Sequence, residues 1–176
     1  MVASVGLLSW TQPARAQVDV ACEIDARERE HLLSLGYRDF DQTPAEGWRA
    51  LVNADFACAP EVAGLIDEYA STNGGDLTDY NVQILSWHAG QLYGFAGQTD
   101  RARERFKASL DPSEAADAPP WTAYVRASLA FLDGDLVELQ RQRALIAATE
   151  SQMNLDVVDR LIAGFGRPYA KAYMGR

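Results

Sequence analysis

Few residues of this chain have the types and spacing that chemistry requires. The two histidines, His31 and His88, show no HExxH pattern or other metal-ligand spacing. His88 shares an apolar helix face with Ile84 and Leu92, which indicates a hydrogen-bonded core histidine rather than a base. A general base would also need a positioned carboxylate or nucleophile, and the neighbouring sequence supplies neither. The sequence therefore predicts no catalytic residue, no metal site and no cofactor.

The acidic residues are numerous but scattered. Asp39 and Asp41 lie near Arg38 in a segment predicted to be a loop, where they could bind a cation. No EF-hand ligand series follows them, so surface charge is the favoured interpretation. The chain also contains no glycine-rich phosphate loop, GxSxG turn or Cys–His nucleophile pattern.

The two cysteines, Cys22 and Cys58, are predicted to form a disulfide in an oxidising compartment; a pair of free structural thiols is the alternative. The apolar residues 2–10 are followed by Ala14-Arg15-Ala16, a small–any–small pattern typical of a secretory cleavage site. We therefore predict a signal peptide over residues 1–16, a mature domain over 17–176 and a periplasmic or secreted location. Because the positive n-region is missing, two alternatives stay open: a start further upstream, or an ordinary buried segment.

Composition narrows the possible functions. The length of 176 residues suits one domain, and an apolar content of 48% is that of a globular protein. The formal net charge of −9 argues against a nucleic-acid-binding surface, which needs clustered Lys and Arg. The apolar run at residues 2–10 is too short to cross a bilayer, which takes about 20 residues. We expect no stable membrane span.

Helical periodicity recurs along the chain, and no segment alternates as a strand would. Thr43-Pro44-Ala45-Glu46 combines capping-box spacing with proline at the first helical position, which predicts a helix start. The sequence predicts an all-α fold of about eight helices, with a further short turn or helix after Pro168. The predicted helices cover 24–35, 44–54, 60–71, 79–96, 100–110, 119–133, 135–149 and 154–165. The second to seventh of them form three successive α–α hairpins.

The middle hairpin has small residues where its two helices must touch. Its key positions are Gly90, Tyr93, Gly97, Ala102 and Phe106, which stand at the spacing of a tetratricopeptide repeat. The chain resembles that family over about residues 82–115, whereas the other hairpins match by architecture alone. The resemblance implies a right-handed superhelix whose concave face binds a protein or peptide. A general helical bundle is the alternative.

We expect residues on the first helices of the hairpins to line the concave face. The candidate groove residues are Trp87, His88, Gln91, Tyr124 and Ser128. Trp87 and Gln91 are expected to lie beside the buried line of the helix, not within it. The expected function is that of an exported scaffold that binds a protein or peptide partner. The alternative is a small periplasmic helical enzyme that acts on cell-envelope material.

Overall fold

A computed structural model describes residues 22–52, 56–113 and 120–176. These ranges contain eight α-helices and no strand, which confirms the all-α prediction. The helices are α1 (Ala26–Leu33), α2 (Ala59–Thr72), α3 (Asp79–Phe95), α4 (Thr99–Ala108), α5 (Pro120–Asp133), α6 (Leu136–Ala147), α7 (Gln152–Ala163) and α8 (Tyr169–Met174). A π-helical turn covers Arg38–Gln42, and 3-10 turns cover Gly47–Leu51 and Gly74–Asp76. The predicted signal peptide at residues 1–16 lies outside the described residues.

Side-chain caps and glycines set where several helices begin and end. The Asp25 carboxylate accepts hydrogen bonds from two backbone N–H groups in the first turn of α1, both at 2.9 Å. Thr78 and Asn81 exchange hydrogen bonds as a capping box at the start of α3. Gly97 and Gly134, with φ angles of 74° and 72°, follow α3 and α5 and turn the chain into the next helix. The result is two helical hairpins, α3–α4 and α5–α6.

The helices from α2 onward pack mainly against their neighbours in the chain, and two contacts go further. Helix α2 packs on α3, and α7 packs on both α6 and α5. The short α8 turns back to contact α7 and α3. Helices α3, α5 and α7 are therefore linked to one another through direct contact or through α8.

The contact between α3 and α4 depends on a glycine. A Cβ atom added at Gly90 would lie 2.6 Å from Cδ1 of Phe106, closer than carbon atoms approach without displacement. Ala102 and Phe106 on the facing side of α4 are fully buried. The prediction that small residues stand where these helices touch is confirmed. Membership of the tetratricopeptide family stays a prediction.

The predicted helix over 44–54 is wrong in the described part of that range. Ala45 and Gly47 have positive φ angles of 60° and 52°, which an α-helix does not allow. A Cβ atom at Gly47 would overlap the backbone oxygen of Phe40, so this turn requires glycine. The capping-box spacing at Thr43 therefore starts no helix, and the first predicted hairpin does not form. The predicted number of helices is still met, because α8 takes the place of this one.

Two connections hold the segment of residues 36–52 and the chain before α1 against α2. Phe40 is fully buried and stacks on Tyr69 of α2, with ring centroids 3.7 Å apart. A disulfide joins Cys22 to Cys58 across 36 residues, with a Cα–Cα distance of 5.2 Å. The predicted disulfide is therefore confirmed. It connects the chain just before α1 to the residue that precedes α2.

Replacing Gly90 by alanine should destabilise the protein. The added methyl group would push against the buried Phe106 ring, and such overpacking costs about 1–3 kcal/mol, against a gain of up to about 1 kcal/mol from the helix propensity of alanine. Gly64 in α2 provides the control, since a Cβ atom there meets nothing within 4 Å. Gly64→Ala should stabilise by up to about 1 kcal/mol through helix propensity alone. Urea unfolding of both variants measures the difference, and equal effects at the two positions would contradict the close contact.

Removing the disulfide should also lower the free energy of unfolding. For a closed loop of this length, the chain-entropy estimate is about 4 kcal/mol. The double variant Cys22→Ser/Cys58→Ser and the reduced wild-type protein should lose similar stability in urea unfolding. The double variant itself should not respond to reductant. Equal unfolding midpoints for oxidised and reduced wild-type protein would show that the bond contributes nothing.

Candidate binding site

The Asp41 carboxylate is the centre of a buried polar cluster. It is fully buried, and its Oδ1 accepts hydrogen bonds from Nε1 of Trp48 at 2.7 Å and from Nδ1 of His88 at 2.8 Å. Its Oδ2 accepts a hydrogen bond from Nε2 of Gln42 at 2.5 Å. Burial alone would raise the pKa of Asp41, but the hydrogen bonds from His88 and Trp48 and nearby positive charge outweigh it. The net pKa lies below the usual Asp value, so the carboxylate is ionised at neutral pH.

Arg49 determines which nitrogen of His88 carries the proton. The Arg49 Nη2 lies 3.3 Å from Nε2 of His88, and its Nε donates to the backbone oxygen of Asp41 at 2.6 Å. A guanidinium group can only donate, so Nε2 of His88 accepts. Nδ1 then carries the proton that is donated to Asp41. His88 on α3 is thereby bonded on both sides to the segment of residues 41–49.

Two adjoining cavities lie on either side of this part of α3. The first, which we call the Arg49 cavity, has a volume of about 350 Å³ and is lined by residues of the 48–52 segment, by Phe56, and by α3 and α8. The second, the α3–α5–α7 groove, has a volume of about 400 Å³. Residues that line the groove include Ile84, Trp87, Trp121, Tyr124, Met153 and Arg160. His88, Gln91 and Tyr173 line both cavities.

Tyr173 of α8 stands between the two cavities and connects the helices around them. Its hydroxyl accepts a hydrogen bond from Nε2 of Gln91 at 2.9 Å and lies 3.2 Å from the hydroxyl of Tyr124. Its backbone oxygen accepts a hydrogen bond from Nε of Arg160 at 2.7 Å. Burial raises the pKa of Tyr124 far above its usual range, so this hydroxyl stays protonated. One residue of α8 therefore bonds to α3, α5 and α7.

The charge around these cavities is opposite to that of the whole chain. The sequence contains 25 Asp and Glu against 16 Lys and Arg. The described residues that line the Arg49 cavity and the groove nevertheless include Arg49 and Arg160 and no acidic side chain. A third cavity, which shares Phe56 and Phe95 with the Arg49 cavity, is lined by Lys171 and Arg176 and again by no acidic side chain. This face therefore suits a ligand that combines apolar surface with negative charge.

The structure brings together four of the five predicted groove residues. Trp87, His88, Gln91 and Tyr124 all line the groove, and His88 and Gln91 line the Arg49 cavity as well. Ser128 lines neither of the two. It is fully buried, and its hydroxyl donates to the backbone oxygen of Tyr124 at 3.3 Å. We therefore leave Ser128 out of the proposed site.

The expectation that Trp87 lies beside the buried line of α3 is wrong. Only 4% of Trp87 is exposed, and its ring packs against Phe106, Trp121 and Tyr124 at centroid distances of 4.8, 5.2 and 4.8 Å. Ile84 and His88 are less buried than Trp87, because their side of α3 faces the cavities. Truncation of a buried Trp costs about 3–5 kcal/mol, so Trp87 is a poor probe of binding.

Sequence reasoning missed three residues of the site, Asp41, Trp48 and Arg49. The prediction of Asp41 as surface charge is wrong, since its carboxylate is buried. Asp41 and His88 are 47 residues apart, and no local spacing can connect residues at that separation. One signal in the sequence pointed to this segment. Phe40 and Trp48 are large aromatic residues in a region that was predicted to be a loop followed by a helix, and such residues usually pack in a buried position.

The described residues offer no evident place for a metal ion and no helix suited to a bilayer. No three His, Cys, Asp or Glu side chains in these ranges are close enough to hold a metal ion. Within the same ranges, no helix combines the length and apolarity of a membrane span. Compared with protein-family models, curated proteins and solved structures, the chain shows no significant match.

Asp41→Asn should destabilise the protein by an amount that depends on pH. At pH 7 we expect a loss on the order of 1–3 kcal/mol, because buried donors lose a charged acceptor. The pKa of Asp41 is lowered in the folded state, so the unfolded chain binds the proton first as the pH falls. The contribution of Asp41 is therefore complete above about pH 4 and is lost as the pH drops through the lower folded value.

Urea unfolding of wild-type and variant protein between neutral and acidic pH measures this contribution. The gap between the two should narrow on acidification. Asp39→Asn is the matched control, since Asp39 is an exposed neighbour whose loss should change stability by less than about 0.5 kcal/mol. A gap that stays constant across the acidic range would show that the Asp41 charge is not what stabilises the fold.

Proposed function

We propose that this protein is an exported, tetratricopeptide-like helical scaffold that binds a protein or peptide partner in the α3–α5–α7 groove. The observation that carries the proposal is the composition of the groove. Helices α3, α5 and α8 contribute aromatic side chains to it, α7 contributes Arg160, and none of the described residues that line it is acidic. The matching partner is a peptide segment with apolar side chains and net negative charge.

Met153 supports the placement of the partner. Its side chain is 78% exposed on α7 and lines the groove. Among the four large apolar side chains that are exposed in the described ranges, Met153 alone lines this groove. An exposed methionine can adapt its three rotatable bonds to an apolar partner surface. The rim of the groove therefore supplies an apolar contact in addition to its aromatic floor.

Two further observations support the scaffold and its export. The close approach of Gly90 and Phe106 is the helix contact on which the tetratricopeptide resemblance depends. The Cys22–Cys58 disulfide is the kind of bond that persists in oxidising compartments such as the periplasm or the extracellular space. The resemblance and the export signal are proposals that these observations support.

The Asp41–His88 pair favours a second candidate, the helical enzyme acting on envelope material, because a carboxylate on Nδ1 is how general bases are oriented. Two features favour binding over this candidate. Arg49 donates to Nε2 of His88, so the lone pair that a base would use is occupied. Among the described residues that line the Arg49 cavity and the groove there is no Ser, Thr or Cys, so neither offers an aliphatic hydroxyl or a thiol as nucleophile.

Met153→Glu should weaken partner binding at least about tenfold, which corresponds to a loss of roughly 1.4 kcal/mol. The variant removes an apolar contact and adds a negative charge to a groove whose proposed partner is itself negatively charged. Peptides selected from a displayed random library against the wild-type protein provide the ligands, and fluorescence polarisation measures their affinities.

Val137→Glu is the matched control for this experiment. Val137 on α6 is 79% exposed, as much as Met153, but it does not line the groove. The Val137→Glu variant should bind the selected peptides with wild-type affinity. If the two variants bind alike, or if selection yields no acidic apolar peptide, the proposed groove is not the binding site.

A further inference from the structure

The Arg49 guanidinium is held in one position at the edge of the Arg49 cavity. Its Nε donates to the backbone oxygen of Asp41 at 2.6 Å, and its Nη2 contacts Nε2 of His88 at 3.3 Å. Its Cζ lies over the Trp48 ring, 4.3 Å from the centroid. A cationic group fixed from three sides loses little further conformational freedom when a ligand binds to it.

None of the three groups that touch the Arg49 guanidinium carries a negative charge, although the Asp41 carboxylate is close enough for Arg49 to help lower its pKa. The three groups are a backbone carbonyl, an imidazole nitrogen and an aromatic face. The Asp41 carboxylate contacts Trp48, His88 and Gln42 instead, and Arg49 forms no ion pair with a carboxylate anywhere in the described ranges. Among the described residues, these two contacts occupy only two of the five N–H donors of the guanidinium. A fixed positive charge with donors to spare is suited to a carboxylate.

The rest of the Arg49 cavity is apolar. Its polar corner consists of Arg49, His88 and Gln91, and the remaining wall is formed by Trp48, Val52, Phe56, Leu92, Phe95 and Met174, with Tyr173 at the boundary to the groove. The volume of about 350 Å³ lies at the lower end of the range for small-molecule pockets, roughly 300–1,000 Å³. An open, largely apolar pocket with one cationic corner matches a small molecule that has an apolar body and one anionic end.

We infer that the Arg49 cavity binds a small amphiphilic carboxylate, with the carboxylate on Arg49 and the apolar body against Phe56, Leu92 and Phe95. A cationic ligand is disfavoured because Arg49 would repel it. A neutral apolar ligand would cover the Arg49 charge without pairing it, which costs desolvation energy. This function is separate from partner binding in the α3–α5–α7 groove and does not depend on it.

Calorimetric titration of the full chain with octanoate, octan-1-ol and octylamine tests the inference. Octanoate should bind at least about tenfold more tightly than the alcohol, and the amine should not bind. Affinity should rise from hexanoate to octanoate by roughly three- to fourfold per added methylene group, because each one buries apolar surface. Equal affinity for acid and alcohol, or no dependence on chain length, would overturn the inference.

Variants assign the binding to this cavity. Arg49→Gln should weaken octanoate binding at least about tenfold, and Arg27→Gln, which removes the same charge from an exposed position on α1, should leave it unchanged. Met153→Glu should also leave octanoate binding unchanged, so failure of the groove proposal and failure of this one can be told apart. Thermal melts verify that each variant is folded. If Arg49→Gln does not fold, the comparison of acid, alcohol and amine on wild-type protein decides.

A final titration separates a free small acid from the end of a peptide chain. N-acetyl-leucine and longer peptides ending in leucine carry the same carboxylate beside an apolar group. Binding of octanoate without binding of the longer peptides supports the inference. Binding of the peptides without octanoate would overturn it and would identify the cavity as part of the partner-binding surface.

Discussion

The buried charge of Asp41 is the interaction on which this face of the molecule depends. A carboxylate without water needs several donors, and it takes them from Trp48 and His88 on one oxygen and from Gln42 on the other. Two of these donors belong to the irregular segment before α2, and the third belongs to α3. The hydrogen bonds to the Asp41 carboxylate therefore hold a segment with little regular structure of its own against the helical part of the molecule. The same docking carries Arg49 to the edge of a cavity.

The helical part supplies the rigidity that this docking needs. Close contacts such as Gly90 with Phe106 and Gly94 with Tyr169 fix α3 against α4 and α8 with little room for movement. Tyr173 then bonds to residues of α3, α5 and α7. The polar groups of the site are thus held by irregular turns on one side and by packed helices on the other. The cavities lie along the boundary between them.

The sequence predicts the two hairpins well because their signals are local. Periodic apolar residues, the Thr78–Asn81 capping box and the glycines after α3 and α5 all act within a few residues of one another. The segment from residue 36 to residue 52 could not be predicted in the same way. Its capping-box pattern is outweighed by tertiary contacts, the stacking of Phe40 on Tyr69 and the bonds to Asp41, which favour positive φ angles at Ala45 and Gly47. The site residues on the helices can be predicted from the helical periodicity. The site residues in the segment 36–52 cannot, because their positions depend on contacts between residues far apart in the chain.

The position of Arg49 over Trp48 has an optical consequence. An indole ring in contact with a guanidinium and hydrogen-bonded to a carboxylate has an emission that depends on both neighbours. A ligand that draws Arg49 toward itself alters the surroundings of Trp48, whereas Trp87 and Trp121 line the groove and not the Arg49 cavity. The molecule therefore carries separate intrinsic chromophores at its two cavities. A ligand in either cavity should therefore change the intrinsic fluorescence of the protein without a label.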